Sequence, residues 1–302
     1  MVATRQKAIR SLVTVAAVAS LYFVFVRSEI GQAIDRVSIG SLAWAGPVAQ
    51  ALGDGRTILL GLAVAGAAAS ALSGLFRGFG VLPVAGSALI IAAVAFGSPF
   101  LRDHVFIRPV LVNVPAYNHN TFPSSHAALA VAAAGVIIYF LPKLRAARVA
   151  AVVLACLVSV GSVSWHAHRL SDVIAGALLA LALLVWLPGG ARPVRPYWRR
   201  TLLVVAGFFG AVVVSFAAAL LGADLVAQVI LGCAVAGTIV ACVVAALWVG
   251  AQRIPDVQHS GSAGPAGRLT SLMSKALFRP MTGRDKRMPG ARTARHSDRR
   301  RP

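Results

Sequence analysis

Long apolar windows, separated by short polar or glycine- and proline-bearing breaks, recur along this chain at 8–26, 56–76, 81–100, 124–141, 148–165, 170–187, 201–222 and 225–249. Each is close to the roughly 17–25 residues that carry an α-helix through a hydrocarbon core about 30 Å thick. The pattern predicts an all-α integral membrane bundle with eight spans. Two outer intervals break it. Between 27 and 55, Ile30, Ile34, Val37, Ile39, Leu42 and Trp44 are interleaved with Glu29, Asp35, Arg36 and Asp54. That spacing suits a helix lying along the membrane surface, where tryptophan is well accommodated, or a lid over the outer face. Between 101 and 123 the chain gathers Arg102, Asp103, His104, Arg108, Asn113, Asn118, His119 and Asn120, with prolines at 109, 115 and 123. A loop so rich in donors, and stiffened by proline, predicts a fixed path with a purpose.

Composition agrees with a membrane protein and excludes a soluble domain: of 302 residues, 58% are hydrophobic and 13% charged, too little polar surface for a water-soluble fold of this length. A formal net charge of +20 would point to nucleic acid in a soluble protein. Here its placement argues for topology, with no nucleic-acid partner. With the N-terminus inside, Arg5, Lys7, Arg10, Arg77, Lys143, Arg145, Arg148, Arg192, Arg195, Arg199, Arg200 and the tail are cytoplasmic. Arg27, Arg36, Arg56, Arg102, Arg108 and Arg169 lie outside. The donor-rich loop therefore faces the extracytoplasmic side. The basic start followed by an apolar run has no small-residue cleavage pattern and reads as an uncleaved anchor. Cys156, Cys233 and Cys242 fall inside spans and read as small buried hydrophobes. Abundant arginine, alanine, valine and glycine suggest a bacterial source. Residues 251–302 form a basic tail too poor in apolar residues to fold alone. One piece of it, 268–279, has the spacing of a short helix suited to anionic lipids of the inner leaflet.

The chemistry-bearing residues cluster at the mouths of spans. Pro123 and Ser124 resemble a helix start, with a hydroxyl to cap free amides and the positive end of the helix dipole turned outward, a ready site for phosphate. His126 lies in the first turn. The chain then makes a helical hairpin, turning at Pro142–Arg145, and returns to its starting level, so His126 and His168 can meet. Asp172 is four residues after His168, on the same face if that turn is helical, where a carboxylate hydrogen bond would fix the imidazole tautomer. An acid so close to hydrocarbon is costly without a partner and marks function.

At these residues the chain resembles the type 2 phosphatidic acid phosphatase (PAP2) superfamily. That family's pattern is a Lys, six residues and Arg-Pro; a Pro-Ser-Gly-His; and a Ser-Arg, five residues, His, three residues and Asp. Arg108-Pro109, Pro123-Ser124-Ser125-His126 and His168 with Asp172 fit it. Leu101 stands in place of the Lys, and Gly161-Ser162 in place of the Ser-Arg. Arg102, Arg169, His104, His119 and His166 are the candidates to take over from the missing cations. The resemblance implies a six-helix core over 1–187, with its motifs inside 101–172; the apolar windows add two transmembrane helices over 188–250, and the basic tail follows. It also implies that His168 attacks phosphorus, Asp172 orients it, and His126 serves as general acid and base. Arg108, Ser124 and Ser125, helped by Arg102 and Arg169, would hold the phosphate, with no metal or other cofactor required. The implied substrate is a bilayer-anchored lipid phosphate, either a polyprenyl (di)phosphate or a phosphatidate-type lipid. A lipid-linked phosphotransferase, a non-catalytic lipid-phosphate-binding protein, and a metal site built from His126, His166, His168 and Asp172 are the competing readings.

Overall fold

The structure is a computed structural model that describes residues 2–39, 41–112, 119–188 and 224–251. The window 201–222, the arginines at 192, 195, 199 and 200, Asn113 and Asn118, and the tail with its segment 268–279 lie outside the described residues. All regular structure among the described residues is helical: α1 (Val2–Leu21), α2 (Glu29–Ser38), α3 (Pro47–Phe76), α4 (Val81–Phe100), α5 (Ser125–Phe140), α6 (Arg145–Ser164), α7 (Leu170–Leu184) and α8 (Asp224–Ala251). π-helical turns at Tyr22–Val26 and Leu101–Val105 prolong α1 and α4.

Among the described residues, five stretches are long and apolar enough to cross a membrane: Thr4–Val26, Pro47–Phe76, Val81–Val105, Arg145–Ser164 and Asp224–Val244. The apolar windows predict eight. Helices α5 and α7 are apolar but shorter. Pro123 and Pro142 bracket α5, and proline interrupts helical hydrogen bonding on either side. Large apolar side chains such as Phe96, Leu89 and Ile58 are 70–78% exposed, which a soluble protein avoids and a hydrocarbon solvent permits. The cysteines are not the buried hydrophobes that the sequence suggests. Cys156 and Cys242 are half-buried and Cys233 is exposed, so they tolerate an apolar surface rather than fill the core.

Helix α5 is the axis of the bundle and packs on α3, α4, α6, α7 and α8. Nearly all of its length is buried, largely through Ala127, Ala128, Ala130 and Ala132–Ala134, and such small side chains let neighbouring backbones approach closely. The approach is closest where α7 crosses the start of α5. A Cβ on Gly176 would lie 2.4 Å from the Ser124 carbonyl oxygen, so this crossing requires glycine. The same geometry brings the N-terminal ends of α5 and α7 side by side, with the Ser124 N–H donating to the Asp172 carbonyl at 2.9 Å.

Two elements depart from the sequence pattern. Helix α3 begins at Pro47, behind Gly46 at φ 46°, rather than at 56. Proline at the first helical position is pre-organised for that start. Residues 47–55 therefore belong to the helix and not to the outer segment, and Arg56 sits well inside α3. Helix α2 forms as its spacing predicts, but Gln32, Asp35 and Ser38 are buried while Ile30 and Val37 are 77% and 46% exposed. Its polar edge faces the protein.

Candidate active site

The site is assembled where the N-terminal ends of α5 and α7 meet. Asp172 occupies the third position of α7 and closes its first turn: Oδ2 accepts from the Arg169 N–H at 2.9 Å. Carboxylates are favoured there by the free amides and the helix dipole. The same oxygen accepts the Thr121 hydroxyl hydrogen bond, and Oδ1 accepts from Arg108 Nη2 at 3.1 Å. Asp172 is fully buried, a cost that these three donors offset.

Arg108 is shared. Its Nη2 also lies 3.6 Å from Asp35 Oδ2 of α2. Asp35 in turn accepts from the Ser171 hydroxyl at 2.5 Å and from the Ser171 N–H at 3.2 Å, while Ser38 Oγ accepts from the Leu170 N–H at 3.2 Å. Gln32 reaches the other side of the same loop. Its Nε2 donates to the Pro109 carbonyl at 2.7 Å, and its Oε1 accepts from the Leu111 and Val112 N–H groups, both at 3.2 Å. The polar edge of α2 thus ties the Arg108 loop to the start of α7. Burial pushes the Asp35 carboxyl up to about 7, aided by the charge of Asp172 and opposed by Ser171 and Arg108.

His168 precedes α7 instead of lying on it. The residue is buried, and its N–H donates to the Ser162 carbonyl at 3.0 Å. Its Nδ1 stands 4.0 Å from Asp172 Oδ2 and has no hydrogen-bond partner. The expected imidazole–carboxylate hydrogen bond is therefore not made, because Oδ2 is occupied by the Arg169 N–H and Thr121. Burial pushes the His168 imidazole down to about 4. The charge of Asp172 resists, that of His126 assists, the Thr121 backbone resists, and Arg56 assists. His168 is neutral at physiological pH.

His126, half-buried in the first turn of α5, faces it with the two ring centroids 5.7 Å apart and the planes at 61°. The hairpin of α5 and α6 brings together the imidazoles that the sequence pairs. Ser124 caps α5, accepting from the Ala127 N–H at 3.3 Å, and is fully buried, so its hydroxyl is spent inside the protein. Ser125 is half-buried. Arg169 is 4% exposed, and its Nη1 donates to Thr121 Oγ1 at 3.2 Å and to the His119 carbonyl at 3.4 Å. Arg102 pairs with Asp103 at 2.8 Å near the surface, while Asn120 holds the Arg102 and Phe106 carbonyls at 2.6 and 2.5 Å. His104, His119 and His166 are exposed. Among the described residues, no three His, Cys, Asp or Glu side chains converge as a metal-ligand set.

Four participants were not singled out from the sequence. Asp35 reads from the sequence only as a polar position of a surface helix, and Gln32 and Thr121 carry no motif. Arg56, counted as an outer-side charge, stands on α3 near enough for its charge to be felt at both His126 and His168. Only the burial of an acid amid apolar neighbours, as at Asp35, offered a signal.

No curated protein and no solved structure matches the chain. Residues 93–193, which run from α4 through α7 and carry Arg108, His126, His168 and Asp172, match the PAP2 superfamily model, so this stretch is a PAP2 superfamily domain.

Proposed function

We propose that the protein is a membrane lipid phosphatase that hydrolyses a phosphomonoester or diphosphate on a bilayer-anchored substrate through a phosphohistidine at His168. The observation that carries this reading is the pair of facing imidazoles: one is buried and neutral with a carboxylate behind it, the other half-open in the first turn of a helix. With Nδ1 turned toward Asp172, the lone pair on Nε2 attacks phosphorus while the bond from phosphorus to the lipid oxygen breaks. His126, as the imidazolium, gives that oxygen its proton. Neutral His126 then takes a proton from water, whose oxygen attacks phosphorus. The N–P bond breaks, and its electron pair returns to Nε2. Asp172, close but unbonded in the resting site, stabilises the cationic phosphorylated ring. Such contacts often tighten only in the reacting complex. Arg108, Arg169, Ser125 and the free amides at the start of α5 receive the non-bridging oxygens, with Arg102 at the approach. No metal enters the scheme.

A substrate held in the bilayer delivers its head group to this depth, which favours a polyprenyl (di)phosphate or a phosphatidate-type lipid. In this reading, 1–187 is the catalytic core, 188–250 adds two membrane helices to make eight spans, and the tail rests near anionic inner-leaflet lipids. The protein lies in a bacterial plasma membrane with both termini cytoplasmic and the site outside.

The test is phosphate release by detergent-purified protein from phosphatidate and polyprenyl diphosphate, with EDTA present, in wild type and His168→Ala. Turnover that persists in EDTA and falls by at least about 10³-fold in the variant is the expected result. Loss of activity to EDTA overturns the metal-free scheme. Phosphate transfer to an added lipid acceptor in place of release makes the protein a transferase.

A further inference from the structure

The buried cations of the site already have partners. Arg108 lies 3.1 Å from Asp172 and 3.6 Å from Asp35, and Arg169 donates to Thr121 Oγ1 and to the His119 carbonyl. A phosphate monoester brings a charge of about −1.5 to −2 at neutral pH. In a site screened from water such a charge needs a cation that is not already committed. The family's pattern would supply one from α6, but Gly161-Ser162 stands there instead.

Arg56 is placed to fill that role. Where Gly161 lies, α3 presses on α6 so closely that a Cβ would sit 2.5 Å from the Leu52 carbonyl oxygen, and the neighbouring α3 side chain is Arg56, its Cβ 3.5 Å from that same point. The family's arginine position is the next residue, where Ser162 is fully buried and its Oγ donates to the Val158 carbonyl at 2.7 Å, while α3 brings Arg56 alongside at Gly161. The Arg56 guanidinium is held in two ways. Its Nη1 donates to the Gly53 carbonyl at 2.6 Å, and its carbon lies 5.7 Å from the centroid of the Trp165 ring, a cation–π distance. Gly53 makes the stack possible, since a Cβ there would come within 2.7 Å of the Trp165 side chain. Arg56 forms no ion pair among the described residues, and its Nε is buried with no hydrogen-bond partner. Its charge reaches both His126 and His168.

We infer that Arg56 is a substrate-phosphate-binding residue of this site, supplying from α3 the positive charge that α6 lacks. The inference rests on the phosphatase reading for its substrate, but binding alone can test it. Full-length wild type, Arg56→Ala, Arg56→Gln and Arg56→Lys are compared in detergent by thermal unfolding with and without inorganic phosphate, and by kcat/KM on phosphatidate and polyprenyl diphosphate. Stabilisation by phosphate is expected in wild type, weaker in Arg56→Lys, and absent in Arg56→Ala and Arg56→Gln, whose melts without phosphate show whether the fold is intact. The expected loss in kcat/KM for Arg56→Ala is about 10²-fold, recovered in part by Arg56→Lys and by guanidinium ion added to Arg56→Ala. Phosphate stabilisation equal in wild type and all three variants overturns the inference, as does a loss that neither lysine nor guanidinium relieves. Wild type that binds phosphate through Arg56 and yet hydrolyses neither lipid overturns the phosphatase reading alone.

Discussion

The half of the site carried by α7 and α2 and the half carried by α5 and α3 satisfy their polar groups in different ways. In the first, Asp172, Arg108, Asp35, Ser171 and the Arg169 N–H are buried and bonded to one another. In the second, His126 is half-buried and Arg56 makes no ion pair among the described residues. A closed network of mutually bonded groups holds its members in place and leaves few of them free for a ligand. Groups without an internal countercharge are those an anionic ligand can engage. His168 lies on the seam, its backbone N–H anchored to the Ser162 carbonyl of α6 and its ring facing His126 of the open half.

The contrast can be broken at its centre. Asp172→Asn keeps the shape of the closed half and removes its key charge, leaving Arg108 with Asp35 alone. Phosphate release should fall by about 10²–10⁴-fold, and the thermal midpoint should drop with it. A loss under about tenfold would mean that the carboxylate does not support the nucleophile. Next is the seam. Gly176→Ala pushes α7 away from the Ser124 carbonyl, and backbone cannot yield as a side-chain tip can. A destabilisation of about 1–3 kcal/mol and a fall in kcat of about 10–100-fold, from displacing His126 against His168, are expected in melts and rates. Unchanged kinetics would show that the two halves need no fixed spacing.

The smallest effect sharpens the account of the closed half. Folded protein holds a proton on Asp35 up to about 7, whereas the unfolded chain releases it near the ordinary 3.8. Asp35 therefore makes the fold less stable as pH rises across that window, and no less stable above it. His168, at about 4 when folded against 6.5, acts in the opposite sense: stability grows with pH between those values. Asp35→Asn removes the first slope and leaves the second, so its melting temperature should gain on that of wild type as pH climbs from about 4 to about 7. Parallel curves would mean that Asp35 is charged throughout.

What could be read from the sequence follows from short-range rules. His126 in a first turn after Pro123-Ser124, a hairpin that returns to His168, and Asp172 one turn further on depend on rise per residue and on capping. The first two hold in the structure, whereas His168 precedes α7 and its ring stands 4.0 Å from Asp172 without the expected hydrogen bond. The direction of α2 could not be read this way. Its spacing shows a helix with two unlike faces suited to a membrane surface, but not which groups of the protein its polar face meets. Beside hydrocarbon, Ile30 can face out, and Asp35 is better placed against Arg108 and Ser171. Thr121 was missed because its partners Asp172 and Arg169 lie 51 and 48 residues away, and no local pattern records such a meeting. The start of α3 was missed because the residues from Pro47 to Gly55 are mixed in polarity, and hydropathy alone places a span only where the chain turns uniformly apolar.

By itself the sequence determined that this is a helical membrane protein whose chemistry-bearing residues gather at one end of its bundle, because span length, proline and serine at helix starts, and the cost of an acid near lipid all act within a few residues. Only the tertiary structure decided which charges are spent and which are left for a ligand. Pairing depends on distances of 3–4 Å between segments far apart in the chain, such as Arg108 with Asp35 and Asp172, and on small-residue crossings such as Gly161 on Leu52 that set which side chains of α3 lie beside α6.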